Sequence, residues 1–131
     1  MPERLRYRPR MYRLALVLGV IALGGCGTTE DDRPATLEYI TTTILAPACA
    51  NAQCHSAFKN ESGYEFDTVE HAKAELEFLV VPGDRNASFL YEVITRDPAG
   101  DLPRMPYDQP LPDPEIELIG RWIDEGAVGL Q

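Results

Sequence analysis

The residues best suited to chemistry lie in the seven-residue segment 49–55, which reads CANAQCH, and at one methionine further along the chain. Two thiols can form thioethers or a disulfide, an imidazole is a common metal ligand, and a thioether sulfur is a soft ligand. Met105 is the candidate thioether, because the other two methionines, Met1 and Met11, lie in the N-terminal leader. The segment therefore offers two thiols and an imidazole, and the chain adds a single thioether.

Two cysteines followed directly by a histidine resemble c-type haem attachment, in which both thiols add to haem vinyl groups and the histidine is the proximal iron ligand. The usual spacing is C-x-x-C-H, whereas Cys49, Cys54 and His55 form C-x4-C-H. The two extra residues must bulge outward, which the small side chains of Ala50 and Ala52 permit. The pattern predicts covalent haem c with its iron bound by His55.

A haem that transfers electrons also needs a sixth ligand, and Met105 is the candidate. It lies between Pro103 and Pro106, and a proline restricts the backbone of the residue before it. Thioether ligation opposite a histidine stabilises ferrous iron and raises the potential. The remaining histidine, His71, follows Glu70 on a predicted helix and is expected to face solvent.

The same thiols permit a second interpretation. In an oxidising compartment Cys49 and Cys54 could form a disulfide. Closing so short a loop would contribute about 2–3 kcal/mol in the loop-entropy model. The protein would then be a haemless structural or interaction lipoprotein. His55 and Met105 favour haem, because a disulfide requires neither of them.

The N-terminal leader has the organisation of an export signal. Five arginines lie within the first 13 residues, and residues 14–23 are apolar or small. Ten helical residues rise about 15 Å, roughly half of a bilayer core, so this segment fits a signal peptide better than a spanning helix. The following LGGC resembles a lipobox. We predict a lipoprotein signal peptide at 1–25 and a lipidated Cys26, with an ordinary secretory signal and a chance cysteine as the alternative.

This assignment predicts an exported lipoprotein on the periplasmic side of a bacterial membrane. Acyl chains on Cys26 would hold it there without a spanning helix. Residues 26–35 are the lipidated N-terminus and a polar tether. Gly27 in place of an aspartate favours the outer membrane over the inner one.

Charge narrows the function classes. The chain has 12 basic and 21 acidic residues, but the leader holds five arginines and Glu3, which leaves 7 basic against 20 acidic residues, a net of −13. Such a surface excludes nucleic-acid binding and predicts a redox partner with a basic docking patch. The length excludes a large two-domain enzyme. We expect an electron carrier or redox subunit, not a catalyst.

Hydrophobic periodicity predicts four short helices. The first begins near Thr36 and ends at Pro47, the second follows a capping box at 67–70, the third opens at Asn86 or Ser88, and the fourth has Asp113 as N-cap and stops at Gly126. Six prolines in residues 98–114 exclude helix or central strand there. The prediction is a small all-α domain at 36–131 with long irregular loops and a proline-rich strap. So small a core often recruits a disulfide, metal or cofactor.

These features follow one another in the order of a known family. The segments ILAP (44–47), VPGD (81–84), SFLY (88–91), RMP (104–106) and IGRWIDEGA (119–127), together with Leu111 and the Cys54–His55 pair, resemble the planctomycete-type cytochrome c domain over residues 40–127. The resemblance implies thioethers at Cys49 and Cys54, with His55 proximal and Met105 distal. It implies membrane-tethered periplasmic electron transfer. The C-x4-C spacing departs from the family pattern.

Four further residues have alternative roles. Trp122 is expected either at the haem edge or in the core. Arg85, Arg104 and Arg121 are candidate partners of the haem propionates, and no spacing selects among them.

Overall fold

Apolar residues recur at helical spacing in four segments, and each is helical in the computed structural model, which describes residues 31–131. We label them α1 (37–49), α2 (Val69–Leu79), α3 (Phe89–Thr95) and α4 (Asp113–Asp124). Residues 31–131 contain no strand, so the predicted all-α class is confirmed. The predicted signal peptide at 1–25 and Cys26 lie outside the described residues. No helix within 31–131 is long and apolar enough to cross a membrane.

Helix α1 contains a change of register. It begins after Thr36, whose side chain accepts from the N–H of Tyr39, and its centre, Thr41–Leu45, is a π-helix. The N–H of Ala46 consequently bonds to the carbonyl of Thr41, five residues back, before α-helical Ala46–Cys49 follows. The prediction that Pro47 ends this helix was wrong. Pro47 has no N–H to donate, and the π-helical turn just before it changes the hydrogen-bond spacing, so the helix continues to Cys49. The continued helix carries Cys49 at its end.

A hydroxyl residue occupies the N-cap position of both α2 and α3. Thr68 caps α2 by accepting from the N–H of His71 at 3.1 Å. Ser88 precedes α3 and is buried, where its hydroxyl donates to the carbonyl of Asp84 at 2.8 Å and accepts from the N–H of Val81 at 2.9 Å. The capping signal at 67–70 and the start at Ser88 are therefore confirmed.

Helix α4 closes the core. Its first residue is Asp113, with Pro112 as N-cap, and Gly126 at φ +95° ends it in a conformation that favours glycine. Trp122 is fully buried, and its Nε1–H donates to the carbonyl of Val128 at 3.0 Å. Trp122 is thus a core residue. All four helices contribute to this core, and the irregular segments between them carry His55 and Met105.

Candidate functional site

All four sequence-predicted haem residues line one cleft. A cavity of about 180 Å³ and an adjoining one of about 140 Å³ share Cys49, His55 and Met105 among their lining residues, and Cys54 lines the smaller cavity. The two cavities adjoin at these three residues, and together they form the cleft. Either part alone is below the roughly 300 Å³ at which small-molecule sites begin. A ligand of ordinary size would therefore have to extend into both parts.

The larger cavity is mostly apolar. Its remaining lining residues are Ser62, Tyr64, Phe66, Leu79, Phe89, Leu90, Val93, Ile94 and Arg96. The smaller cavity adds Ala48, Glu61, Pro106, Tyr107 and Asp108. An apolar wall excludes water and strengthens any electrostatic interaction inside it. The cleft thus combines a mostly apolar lining with a few nitrogen and sulfur donors.

His55 is oriented by its own loop. Its Nδ1 lies 3.0 Å from the carbonyl oxygen of Glu61, in the 3₁₀ turn Glu61–Gly63. A carbonyl only accepts, so Nδ1 donates the proton in this hydrogen bond, and in the neutral tautomer that does so Nε2 is the unprotonated ring nitrogen. A metal-binding histidine is commonly held in this way by a backbone carbonyl. The ring also packs edge-on against Phe66, with 5.5 Å between ring centroids.

The two extra residues of the C-x4-C spacing form an ordered turn. The side-chain oxygen of Asn51 accepts from the N–H of Gln53 at 3.0 Å, and the backbone carbonyl of Asn51 accepts from the N–H of Cys54 at 3.0 Å. The N–H of His55 then bonds to the carbonyl of Cys49 at 3.0 Å and closes the turn. Asn51, Ala52 and Gln53 are exposed. The insertion bulges toward solvent as predicted, but Asn51 organises it, which the turn preference of asparagine could have indicated.

Cys49 and Cys54 are both free thiols and both partly buried. Burial, with a smaller contribution from the nearby Cys54, raises the pKa of the Cys49 thiol to about 12. Cys49 is therefore protonated at neutral pH. Free thiols are the state from which either thioethers or a disulfide form.

Met105 is held against the end of α3. Its backbone N–H donates to the carbonyl of Val93 at 2.9 Å, and the Nε–H of Arg104 donates to the carbonyl of Ile94 at 2.9 Å. Carbonyls in the last turn of a helix have no partner within the helix, so the strap satisfies two of them. Pro106, joined to Met105 by a cis peptide bond, is buried. The strap depends on this contact with α3 as well as on its prolines.

The three arginines considered from the sequence are engaged elsewhere. Arg85 pairs with Asp124 at 2.6 Å and with Glu117 at 3.2 Å. Arg121 donates to the carbonyl of Arg33 at 2.8 Å, and Arg104 donates to Ile94 as described above. None of the three is among the residues that line the cleft.

Arg96 lines the cleft instead. Sequence reasoning missed it because its position just after α3 carries no spacing signal. Its place in the cleft depends on how α3 packs in the tertiary structure.

His71 lies apart from the cleft lining. Its Nδ1 is 2.7 Å from a carboxylate oxygen of Asp67 and 3.3 Å from one of Glu65. The hydrogen bond that His71 donates to Asp67 raises the pKa of His71, and the same bond lowers the pKa of Asp67. The three ligand atoms lie within 4.8 Å of one another, the spacing of a possible metal group and equally of a hydrogen-bonded trio. His71 is partly exposed, with 43% of its side chain accessible, which agrees with its predicted solvent-facing position.

Comparison with known proteins bears on this site directly. Residues 52–107 match the family described as Planctomycete cytochrome C, which confirms the resemblance seen in the sequence. The matched segment contains Cys54, His55 and Met105, and it begins after Cys49, in the turn between the two cysteines. No curated protein and no solved structure matches the chain.

Proposed function

We propose that this chain, whose residues 52–107 are those of a planctomycete-type cytochrome c domain, is a c-type cytochrome that carries electrons on the periplasmic side of a bacterial membrane. Cys49 and Cys54 would hold the haem covalently, with His55 as proximal and Met105 as distal ligand. The observation that supports this most strongly is that one mostly apolar cleft contains both free thiols, an imidazole and a thioether.

The residues present fit haem c. An imidazole and a thioether form the ligand set of electron-transferring cytochromes c, and the two thiols are free to react. When bound, the haem iron supplies one-electron chemistry by alternating between the ferrous and ferric states. Attachment needs no oxidant: each thiol adds across a vinyl double bond, with sulfur bonding to one carbon and the hydrogen going to the other.

The protein would orient the two iron ligands and exclude water from the haem. Glu61 holds the proton of His55 on Nδ1, which leaves Nε2 for iron. Val93 holds the backbone of Met105 in place. Apolar side chains from α2 and α3 exclude water, and this environment disfavours the more highly charged ferric form.

The proposal includes a membrane tether and a partner. Cys26, lipidated after removal of residues 1–25, would anchor the domain through the tether at 26–35, with the outer membrane favoured. The net charge of −13 outside the leader supports a partner that presents a basic patch. Tyr107, beside Met105, is 82% exposed, so an aromatic ring is available to that partner at the edge of the cleft. The role is that of a carrier or redox subunit.

The test is expression of the full chain in a host with periplasmic haem-attachment machinery, followed by visible spectroscopy and intact-mass analysis. We expect a sharp reduced α-band and a mass increase of one haem. A colourless protein two hydrogens lighter than its reduced form would overturn the proposal in favour of a Cys49–Cys54 disulfide lipoprotein. Cys54→Ser should abolish or cripple attachment, and unchanged covalent haem in that variant would contradict its role.

Cys26→Ser is the matched cysteine control. It should retain haem while losing the acyl mass and membrane association. Loss of haem together with the acyl chains would contradict the separate roles assigned to the cysteines.

A further inference from the structure

Arg96 is the only residue among the described cleft-lining side chains that carries a guanidinium or ammonium group. It directly follows α3, and only 18% of its side chain is accessible. Its guanidinium carbon lies 5.5 Å from the centroid of the Phe89 ring, which also lines the cleft. A permanent positive charge is thus held at an otherwise apolar wall.

The guanidinium of Arg96 is held in place by three hydrogen bonds, which do not use all of its N–H donors. Its Nε and Nη2 donate to one carboxylate oxygen of Glu92 at 3.2 and 2.8 Å, and its Nη1 donates to the carbonyl of Pro103 at 3.4 Å. Arginine has five N–H donors, so two remain for a further acceptor. Glu92 is 56% accessible and does not line the cleft, so its carboxylate stays solvated. Arg96 therefore has both the orientation and the donors to bind an anion in the cleft.

The cleft also has two chemically different ends. Cys54 lines only the smaller cavity and Arg96 only the larger one, while Cys49, His55 and Met105 line both. Haem has its two vinyl groups on one side of the macrocycle and its two propionates on the opposite side. A haem bound through Cys54 in the smaller cavity would therefore have its carboxylates toward the larger cavity, where Arg96 lies.

We propose that Arg96 binds a haem propionate at this end of the cleft and so compensates the negative charge of that carboxylate. This inference rests on the proposed function. An ionised carboxylate in an apolar wall is costly unless it is paired, and a guanidinium meets a carboxylate with two parallel N–H donors. Arg85, Arg104 and Arg121 do not line the cleft, which leaves Arg96 as the cation for this role.

The experiment compares the haem-loaded full chain with its Arg96→Gln variant. Resonance Raman spectra should show a shifted propionate-bending band in the variant. The midpoint potential should fall, because an uncompensated carboxylate stabilises ferric iron. Arg96→Lys keeps the charge but not the paired donors, so it should restore most of the potential but not the band position. Lys73→Gln removes one positive charge from α2, away from the cleft lining, and should change neither quantity.

Glu92 requires its own control, because Arg96→Gln also leaves that carboxylate without its partner. In the double variant with Glu92→Gln, the band should remain shifted and the potential should stay below that of Glu92→Gln alone. A wild-type band position in Arg96→Gln, or a double variant whose potential matches Glu92→Gln, would overturn the inference while leaving the cytochrome intact. A wild-type chain without covalent haem would overturn the proposed function itself. If Arg96→Gln fails to fold, Arg96→Lys decides, because an unshifted band there contradicts propionate binding through paired donors.

Discussion

The backbone N–H of Met105 lies 2.9 Å from the carbonyl oxygen of Val93, and this hydrogen bond joins the proline-rich strap to the last turn of α3. The acceptor would otherwise be an unpaired helix-end carbonyl. The position of the only methionine outside the leader region therefore depends on α3, whose N-cap residue, Ser88, is buried. The candidate distal ligand is placed by a helix distant from the cysteines in sequence.

Met105→Ala removes the proposed distal ligand. We expect the haem-loaded variant to become high-spin and its midpoint potential to fall, since thioether ligation favours ferrous iron. Visible spectra and potentiometry measure both effects. Leu102→Ala is the matched control, because Leu102 lies in the same strap and is 59% exposed, and it should behave as wild type. An unaltered spectrum in Met105→Ala would assign the sixth position to another group, with His71 the remaining histidine to examine.

Ser88→Ala should lower the free energy of unfolding by about 1–3 kcal/mol, because it leaves the N–H of Val81 and the carbonyl of Asp84, in part-buried hydrogen bonds, without the hydroxyl partner. Urea denaturation measures the change. Thr43→Ala also removes a hydroxyl, but an exposed one that donates to the carbonyl of Tyr39, so its effect should stay within about 0.5 kcal/mol. Equal losses in the two variants would argue against the role of Ser88.

The Cys49 thiol should react slowly in the folded, haem-free protein. With a pKa of about 12, only roughly one part in 10⁴ is thiolate near pH 8, and the thiolate is the nucleophile. Iodoacetamide labelling followed by peptide mass spectrometry should show slow modification at Cys49 that becomes much faster in denaturant. Labelling at the same rate in both states would contradict the burial of this thiol. The Cys54→Ser variant isolates the measurement from competing modification at the second cysteine.

The His71–Asp67 pair should contribute a pH-dependent part of the stability. The raised pKa of His71 means that its contribution is complete below the unfolded value of about 6.5 and is lost as pH rises through the folded value. The lowered pKa of Asp67 means that its contribution is complete above the unfolded value of about 3.9 and is lost as pH falls through the folded value. The pair therefore stabilises most between these two unfolded values.

Thermal melts of His71→Gln test this window. The Tm difference from wild type should be larger near pH 5.5, below the ordinary histidine pKa of about 6.5, than near pH 9, well above it. Lys73→Gln, on the same helix and also partly exposed, should show no such dependence between these two pH values. A Tm difference that is independent of pH would contradict an ionic contribution from His71.

Local signals in the sequence predicted much of the fold. Thr68 and Ser88 are of residue types favoured at the N-cap, the position that each occupies. The apolar periodicity of α2 and α4 matches the buried faces of these helices. The end of α1 was mispredicted at Pro47 because the helix continues past this proline after a π-helical turn, which apolar periodicity does not reveal. Asn51 was only partly predictable. Its preference for turns is a local property, but the turn that it forms between the two cysteines is visible only in the structure, where the N–H of His55 bonds to the carbonyl of Cys49.

The sequence by itself determined the chemistry of the site, because thiols, an imidazole and a thioether have fixed reactivities wherever the chain places them. It also determined the helical class, since helical periodicity and caps act over a few residues. Only the tertiary structure decided that Glu61 orients His55, that Val93 holds Met105, and that Arg96 is the arginine at the cleft. These last relationships arise from contacts between elements, and such contacts depend on how the buried faces pack together.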